Sequence, residues 1–315
     1  MSSATQPRTV ADAASAAREL RTLRDLLRWA VSRFEAAQLS YGHGTDNAWD
    51  EAASLLLFAL HLPPDRLDPY LDARLCRDER EAAIALVERR ATTRAPAPYL
   101  TGEAWLRGLR FLCDERALVP RSPIAEALEE ALPQWFALHR PSPEPQPRAV
   151  LDLCTGGGSL AVFAALAFPQ ASVVGADLSP AALELARANA SLHGVHERIA
   201  WVRSDLFASL RDRRFDLIVC NPPYVNDASM RTLPAEFRAE PREALAGGPD
   251  GMDLVRYIVA QARAHLENDG LLLVEVGHEA GYFEAAFPTL EFHYLPVAAG
   301  DRMLVLIEAA ALPAP

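Results

Sequence analysis

Cysteine is scarce: Cys76, Cys113, Cys154 and Cys220 are scattered over 315 residues without the paired spacing of a metal site. No metal is therefore expected. Two of the four lie in apolar strand-like runs, which predicts buried free thiols and suits a reducing cytoplasm. Positive charge is also short, with 31 Lys and Arg against 42 Asp and Glu and a formal net charge of -11. Adhesion to phosphate backbones is disfavoured, so stable nucleic-acid binding is not expected and a basic protein partner fits better. Long apolar runs are missing too. The longest, Ala52 to Leu62, is too short to span a bilayer, and the first twenty residues hold no compact apolar segment, so neither a membrane span nor a signal is predicted. There is no internal repeat and no low-complexity tract beyond alanine-rich termini. What remains is 50% hydrophobic and 23% charged, the composition of a globular chain long enough for two unequal domains.

The first hundred residues read as a small helical unit. Apolar positions from Val10 to Ala37 recur at helical steps, a second helix covers Asn47 to His61, and Asp78 with Glu81 predicts a capped start for a third over Arg80 to Thr92. Trp105, Leu106, Leu109, Phe111 and Leu112, with breaks at Gly102 and Gly108, predict a hairpin between Pro98 and Pro120. Ser122-Pro123 then opens a helix to about His139, and "RPSPEPQPR" at 140–148 reads as a linker. From Ala149 strand and helix patterns alternate, which predicts a parallel sheet covered by helices. Phe292 to Val297 and Met303 to Glu308 are joined too tightly for a parallel crossover, so the last two strands should be antiparallel neighbours.

The motifs sit at strand ends. The first strand runs into "VLDLCTGGGSLAVFAA", where glycines let backbone approach a ligand and the helix start offers free amides. Asp177 ends the second strand and can accept both hydroxyls of a ribose. A nucleoside site is implied. Gly156-Gly157-Gly158-Ser159-Leu160-Ala161 also satisfies a dinucleotide pattern, so this turn alone does not separate NAD from S-adenosylmethionine. Ser204-Asp205-Leu206-Phe207, the prolines after the fourth strand and the reversed final strand pair favour the latter, with Asp205 able to bind an adenine amino group.

"VCNPPYV" at 219–225 drives the chain out of the sheet at the carboxyl end of the fourth strand, since proline cannot donate to a ladder. Asn221 then offers an amide carbonyl, and a neighbouring proline carbonyl supplies a second acceptor. Two such acceptors can grip a planar NH2 group by both hydrogens and turn its lone pair toward a sulfonium methyl, with Tyr224 as a pocket wall. Glu275 reads as a capped strand end, His278 as a helix start, and Gly247-Gly248-Pro249-Asp250-Gly251 as a turn able to close over substrate.

Asn221-Pro222-Pro223-Tyr224, together with Asp152, Gly156, Gly158 and Asp177, resembles the S-adenosylmethionine-dependent N5-glutamine methyltransferases of translation proteins, over roughly Trp49 to Ala309. Pro120-Arg121-Ser122-Pro123-Ile124 and "LPAEFRAEPREALAGGPDGMDLVRYIV" look like the branch acting on the third large-subunit ribosomal protein. A release-factor enzyme and, more distantly, an adenine-N6 methyltransferase are the alternatives. The resemblance implies a Rossmann-like, seven-stranded class I methyltransferase sheet of α/β class over 121–315, a helical substrate-recognition domain over 1–97 and a hairpin connector over 98–120. It places cofactor contacts on Asp152, Cys154, Thr155, Gly156, Gly158, Asp177, Leu178, Asp205, Leu206 and Asn221, and catalysis on Asn221, Pro222, Pro223 and Tyr224. Gly157 departs from the family's usual serine, which implies a looser turn.

Overall fold

Alternating strand and helix patterns after Ala149 become a seven-stranded sheet in the computed structural model, which describes residues 9–139 and 146–314. Residues 140–145 of the proposed linker lie outside the described residues. The chain forms two units, one from Met1–Gly102 with Pro234–Ala239, the other from Glu103–Leu233 with Glu240–Pro315. Among the described residues no helix is long and apolar enough to cross a membrane.

The first unit contains α1 (Ala13–Glu19), α2 (Leu23–Ala37), α3 (Ala48–Ala59), α4 (Arg77–Thr93) and α5 (Ala97–Thr101). Helical spacing from Val10 to Ala37 does not give one helix. Thr22 is extended and caps α2, accepting from the Asp25 amide while Asp25 takes the Thr22 and Arg21 amides, so a new helix starts where periodicity runs on. Likewise α4 starts three residues earlier than Asp78 and Glu81 suggested, because Glu79 takes the Cys76 amide at 2.8 Å. Leu26, Trp29, Phe34, Leu56 and Val87 form the core. Within it Arg90 donates to Glu51 at 2.7 Å, and Glu236 accepts from the Ser40 amide at 3.0 Å and from Arg94 at 2.8 Å. Removing one member of so buried a pair costs about 3–5 kcal/mol.

In the second unit, β1 (Glu103–Leu106) and β2 (Leu109–Leu112) form the expected antiparallel hairpin. α6 (Ile124–Glu126), a π turn at Ala127–Ala131 and α7 (Leu132–His139) run on as one helix after Ser122-Pro123. Then follow β3 (Ala149–Leu153), α8 (Ser159–Ala167), β4 (Ser172–Asp177), α9 (Pro180–Leu192), β5 (Ile199–Arg203) and β6 (Phe215–Cys220). The chain closes with α10 (Asp227–Thr232), α11 (Asp253–His265), β7 (Leu266–Glu275), α12 (Ala280–Ala286), β8 (His293–Val297) and β9 (Gly300–Glu308). The sheet order is β5-β4-β3-β6-β7-β9-β8, parallel except for β9, which runs antiparallel to both neighbours as the short connection demanded. Apolar clusters cover both faces, which explains the unbroken apolar runs of the central strands. Strand order reverses between β3 and β6, and such a switch point opens a crevice at the carboxyl ends of the strands. Cys154 and Asn221 are the first residues past those two ends.

Candidate active site

Between β3 and α8 the chain turns through Cys154 to Gly158. Asp152 lies beneath this turn, fully buried, taking hydrogen bonds from the Thr155 hydroxyl and from the Ala161 amide at 2.8 Å. Burial pushes its carboxyl pKa up to about 7. A cofactor contact was expected of Asp152; it lies behind the cavity wall, where its Oδ2 alone takes both hydrogen bonds of the turn and its buried Oδ1 has no hydrogen-bond partner. Gly158 is also behind the wall. Its φ is +80°, and a Cβ there would come 2.7 Å from Ala186 Cβ and 2.9 Å from Trp201, so this glycine lets α8 begin close against α9 and the sheet.

Cys154, Thr155 and Gly156 line a cavity of about 420 Å³, a volume that suits a small-molecule site. Asp177 lines it too. One of its oxygens accepts the Gly156 amide and the other the Ser179 amide, each at 2.8 Å, so the carboxylate braces the turn and keeps a lone pair on each oxygen for a hydroxyl. Burial raises its pKa. Leu178, Asp205 and Leu206 add two apolar surfaces and a second carboxylate. Acceptors for two hydroxyls, apolar walls for a flat ring and an acceptor for an amino group make a fitting nucleoside site.

The other wall comes from Asn221, Pro223 and residues 116–122. Pro222 and Tyr224 do not reach it. Tyr224, expected as a pocket wall, turns away: its hydroxyl donates to Glu275 Oε1 at 2.8 Å, and its ring covers Gly277, where a Cβ would lie 2.6 Å from the ring. The backbone beyond is locked as well. Val225 donates to Leu245 O at 2.8 Å, Gly247 donates to Val225 O at 2.9 Å, and a Cβ on Gly251 would stand 2.1 Å from Tyr224 O. The glycine-rich stretch read as a closing turn is thus a brace under the proline exit.

Two further polar groups escaped the sequence reading. Asn189 on α9 donates to Gly157 O at 2.9 Å and to Leu112 O at 3.2 Å, and accepts from the Leu112 amide at 2.7 Å, tying hairpin to glycine turn. Its only sequence signal is an amide among the buried positions Leu185, Ala186 and Ala190. Glu240 receives the Val119 amide at 3.0 Å and both ends of the Arg121 guanidinium at 2.7 and 2.8 Å, which fixes the 119–121 part of the wall.

Comparison with known proteins adds independent findings. A family model described as "Methyltransferase small domain" matches residues 137–248. A Bordetella pertussis protein named ribosomal protein uL3 glutamine methyltransferase is 54% identical over 290 residues, covering 92% of this chain and 95% of its own. A Burkholderia pseudomallei protein of the same name is 53% identical, with 93% and 96% covered, and one from Neisseria meningitidis serogroup B is 46% identical, with 93% and 94% covered.

Proposed function

The chain belongs to the family of ribosomal protein uL3 glutamine methyltransferases, and from that premise we propose that it moves a methyl group from S-adenosylmethionine to the side-chain amide nitrogen, N5, of a glutamine in uL3. The observation carrying this reading is identity of 54% across 92% of the chain. The release-factor and adenine-N6 alternatives gain no support from the relatives' names.

The cofactor falls to the turn amides near Gly156, to Asp177 for its ribose hydroxyls, to Leu178 and Leu206 beside its base, and to Asp205 for the amino group. When bound, it supplies an electrophilic methyl group on a sulfonium centre. The chain's own chemistry acts on the amide. Asn221 Oδ1 and a carbonyl of the proline pair accept its two N–H groups, hold the nitrogen in place and draw it toward pyramidal geometry. Because the prolines fix φ and restrict the backbone of Asn221 before them, the backbone that carries these acceptors reorganises little as charge develops. No strong base is required, since the proton becomes acidic as the new bond forms and leaves to water. A net charge of -11 favours a basic protein partner over nucleic acid.

The test uses the purified chain with uL3 and S-adenosylmethionine, and maps the product by tandem mass spectrometry. One methyl on a uL3 glutamine is expected, with Asn221→Ala lowering kcat at saturating cofactor by about 10²–10³-fold, a larger effect than any on cofactor Kd. Methylation of a release factor in place of uL3 would overturn the substrate, and unchanged turnover in the variant would overturn the role of Asn221.

A further inference from the structure

Glu275 ends β7, one strand over from Asn221, yet it does not line the cavity. It is only 4% exposed. One oxygen accepts the Tyr224 hydroxyl at 2.8 Å and the other accepts the Ser122 hydroxyl at 2.5 Å. Ser122 in turn accepts the Ile124 amide at 3.2 Å, so its single proton is committed to the carboxylate. Burial raises the Glu275 pKa, while the two hydrogen bonds and the Arg121 charge act the other way. A buried carboxylate is an expensive way to fill space, and a Leu or Gln would pack as well. Each of its two oxygens is engaged by a hydroxyl donor, so both hydroxyls are held toward it by their own hydrogen bonds.

The consequence falls on Tyr224. Its ring is seated on Gly277, its backbone is wedged against Gly247 and Gly251, and its hydroxyl is tied to Glu275. A side chain fixed in this way and absent from the cavity lining bears first on its own backbone. It acts on the backbone immediately before it, which is the proline pair and its carbonyls. We propose that Glu275 is a positioning residue which, through Tyr224, holds the proline carbonyls and Asn221 in the arrangement that receives the substrate amide, with Ser122 setting the direction of the carboxylate. This rests on the reading of Asn221 given above. It also assigns a task to Ser122 in the Pro120-Arg121-Ser122-Pro123 segment: that segment lines the cavity and at the same point anchors the carboxylate behind it.

The experiment compares Glu275→Gln, Tyr224→Phe, the double variant and Asn221→Ala in the full chain, measuring kcat and KM for uL3, Kd for S-adenosylmethionine by calorimetry, and thermal unfolding. Positioning predicts that each of the first two lowers kcat by about 10–100-fold, since a misplacement of about 1 Å costs that order. Cofactor Kd should stay at the parent value and the unfolding temperature should fall by no more than the few degrees that one lost buried hydrogen bond costs, and the double variant should be no slower than the slower single, because both act on the one Tyr224–Glu275 contact. Tyr224→Phe deletes that bond without touching the carboxylate, so the test survives if Glu275→Gln folds poorly. If Asn221→Ala is inactive while Tyr224→Phe turns over at the parent rate, the positioning role is overturned and the methyl-transfer reading stands. Loss of kcat in step with lost cofactor affinity and an unfolding temperature lowered beyond those few degrees would show a structural role only, and also overturn it. If Asn221→Ala itself retains full activity, the reading beneath the proposal fails.

Discussion

Two strand ends that are register partners, Leu153 on β3 and Cys220 on β6, shape one cavity by opposite means. At the first, glycines free the backbone so that amides can reach a ligand. At the second, prolines fix the backbone so that carbonyls cannot turn away. Their supports differ as well. The glycine turn is braced by Asp152, Asp177 and Asn189, all within one run of strands and helices from β3 to α9. The proline exit borrows Leu245, Gly247, Gly251, Glu275, Gly277 and Ser122, residues far along the chain in both directions. Donors for a nucleoside can be built from local φ and ψ, whereas acceptors that must hold still against a reacting amide need support from several elements.

The comparison breaks most visibly at its glycines. Gly251→Ala puts a Cβ 2.1 Å from Tyr224 O at a residue with φ +80°, so the proline exit must move. We expect kcat to fall about 10²-fold or more with cofactor Kd unchanged, measured by steady-state methylation and calorimetry. Gly158→Ala is the matching insult to the other end. Its Cβ would meet Ala186 Cβ at 2.7 Å and displace α8 from α9, so cofactor Kd should rise about tenfold while kcat at saturating cofactor stays close to parent. If both variants damaged the same parameter, the two ends would not be doing separate work.

This division also explains what could be read from the chain. Strand-helix alternation carried the sheet, the tight Gly300 connection carried its reversed last pair, and the glycine turn with Asp177 was legible because its parts are close in sequence. The prolines marked where the chain leaves the sheet, but nothing near Tyr224 announces that its hydroxyl meets Glu275, 51 residues on. Asp152 is hard to place for a related reason: an acidic residue at a strand end looks the same in sequence whether it faces ligand or sits under the turn, where its Oδ2 is found. "PAEFRA" at 234–239 carries no sign that Glu236 will bind Ser40 and Arg94 in the first unit. Periodicity failed at Thr22 because it does not register a cap.

Asp152 offers a sharper probe of the local end. Its pKa stands at about 7 in the folded chain against about 3.9 for an unperturbed aspartate. A raised folded pKa means that its contribution to stability is whole below about pH 4 and is lost as pH rises to about 7, where the buried carboxyl must ionise. Asp152→Asn cannot ionise and removes that slope. The unfolding free energy of the parent minus that of the variant, from urea titrations at a series of pH values, should therefore fall between about pH 4 and 7 and level off above. A difference that is flat across this window would mean that the turn does not rest on a buried titrating carboxyl.

The smallest effect is expected where the sequence itself seemed most at odds with its family. Gly157 suggested a loosened turn, yet its carbonyl is held by the Asn189 amide at 2.9 Å, so the position is fixed without a side chain of its own. A Cβ there would lie 3.4 Å from Leu185 Cδ2 and 3.6 Å from Ala117 Cβ, which is near-ordinary packing, and φ does not call for glycine. Gly157→Ser should then leave cofactor Kd within about twofold and stability within about 0.5 kcal/mol, by calorimetry and denaturant titration. A tenfold change in Kd would show that the extra glycine, and not the amide of Asn189, sets the shape of the turn, and the local end would then depend on backbone freedom where it now depends on its neighbours.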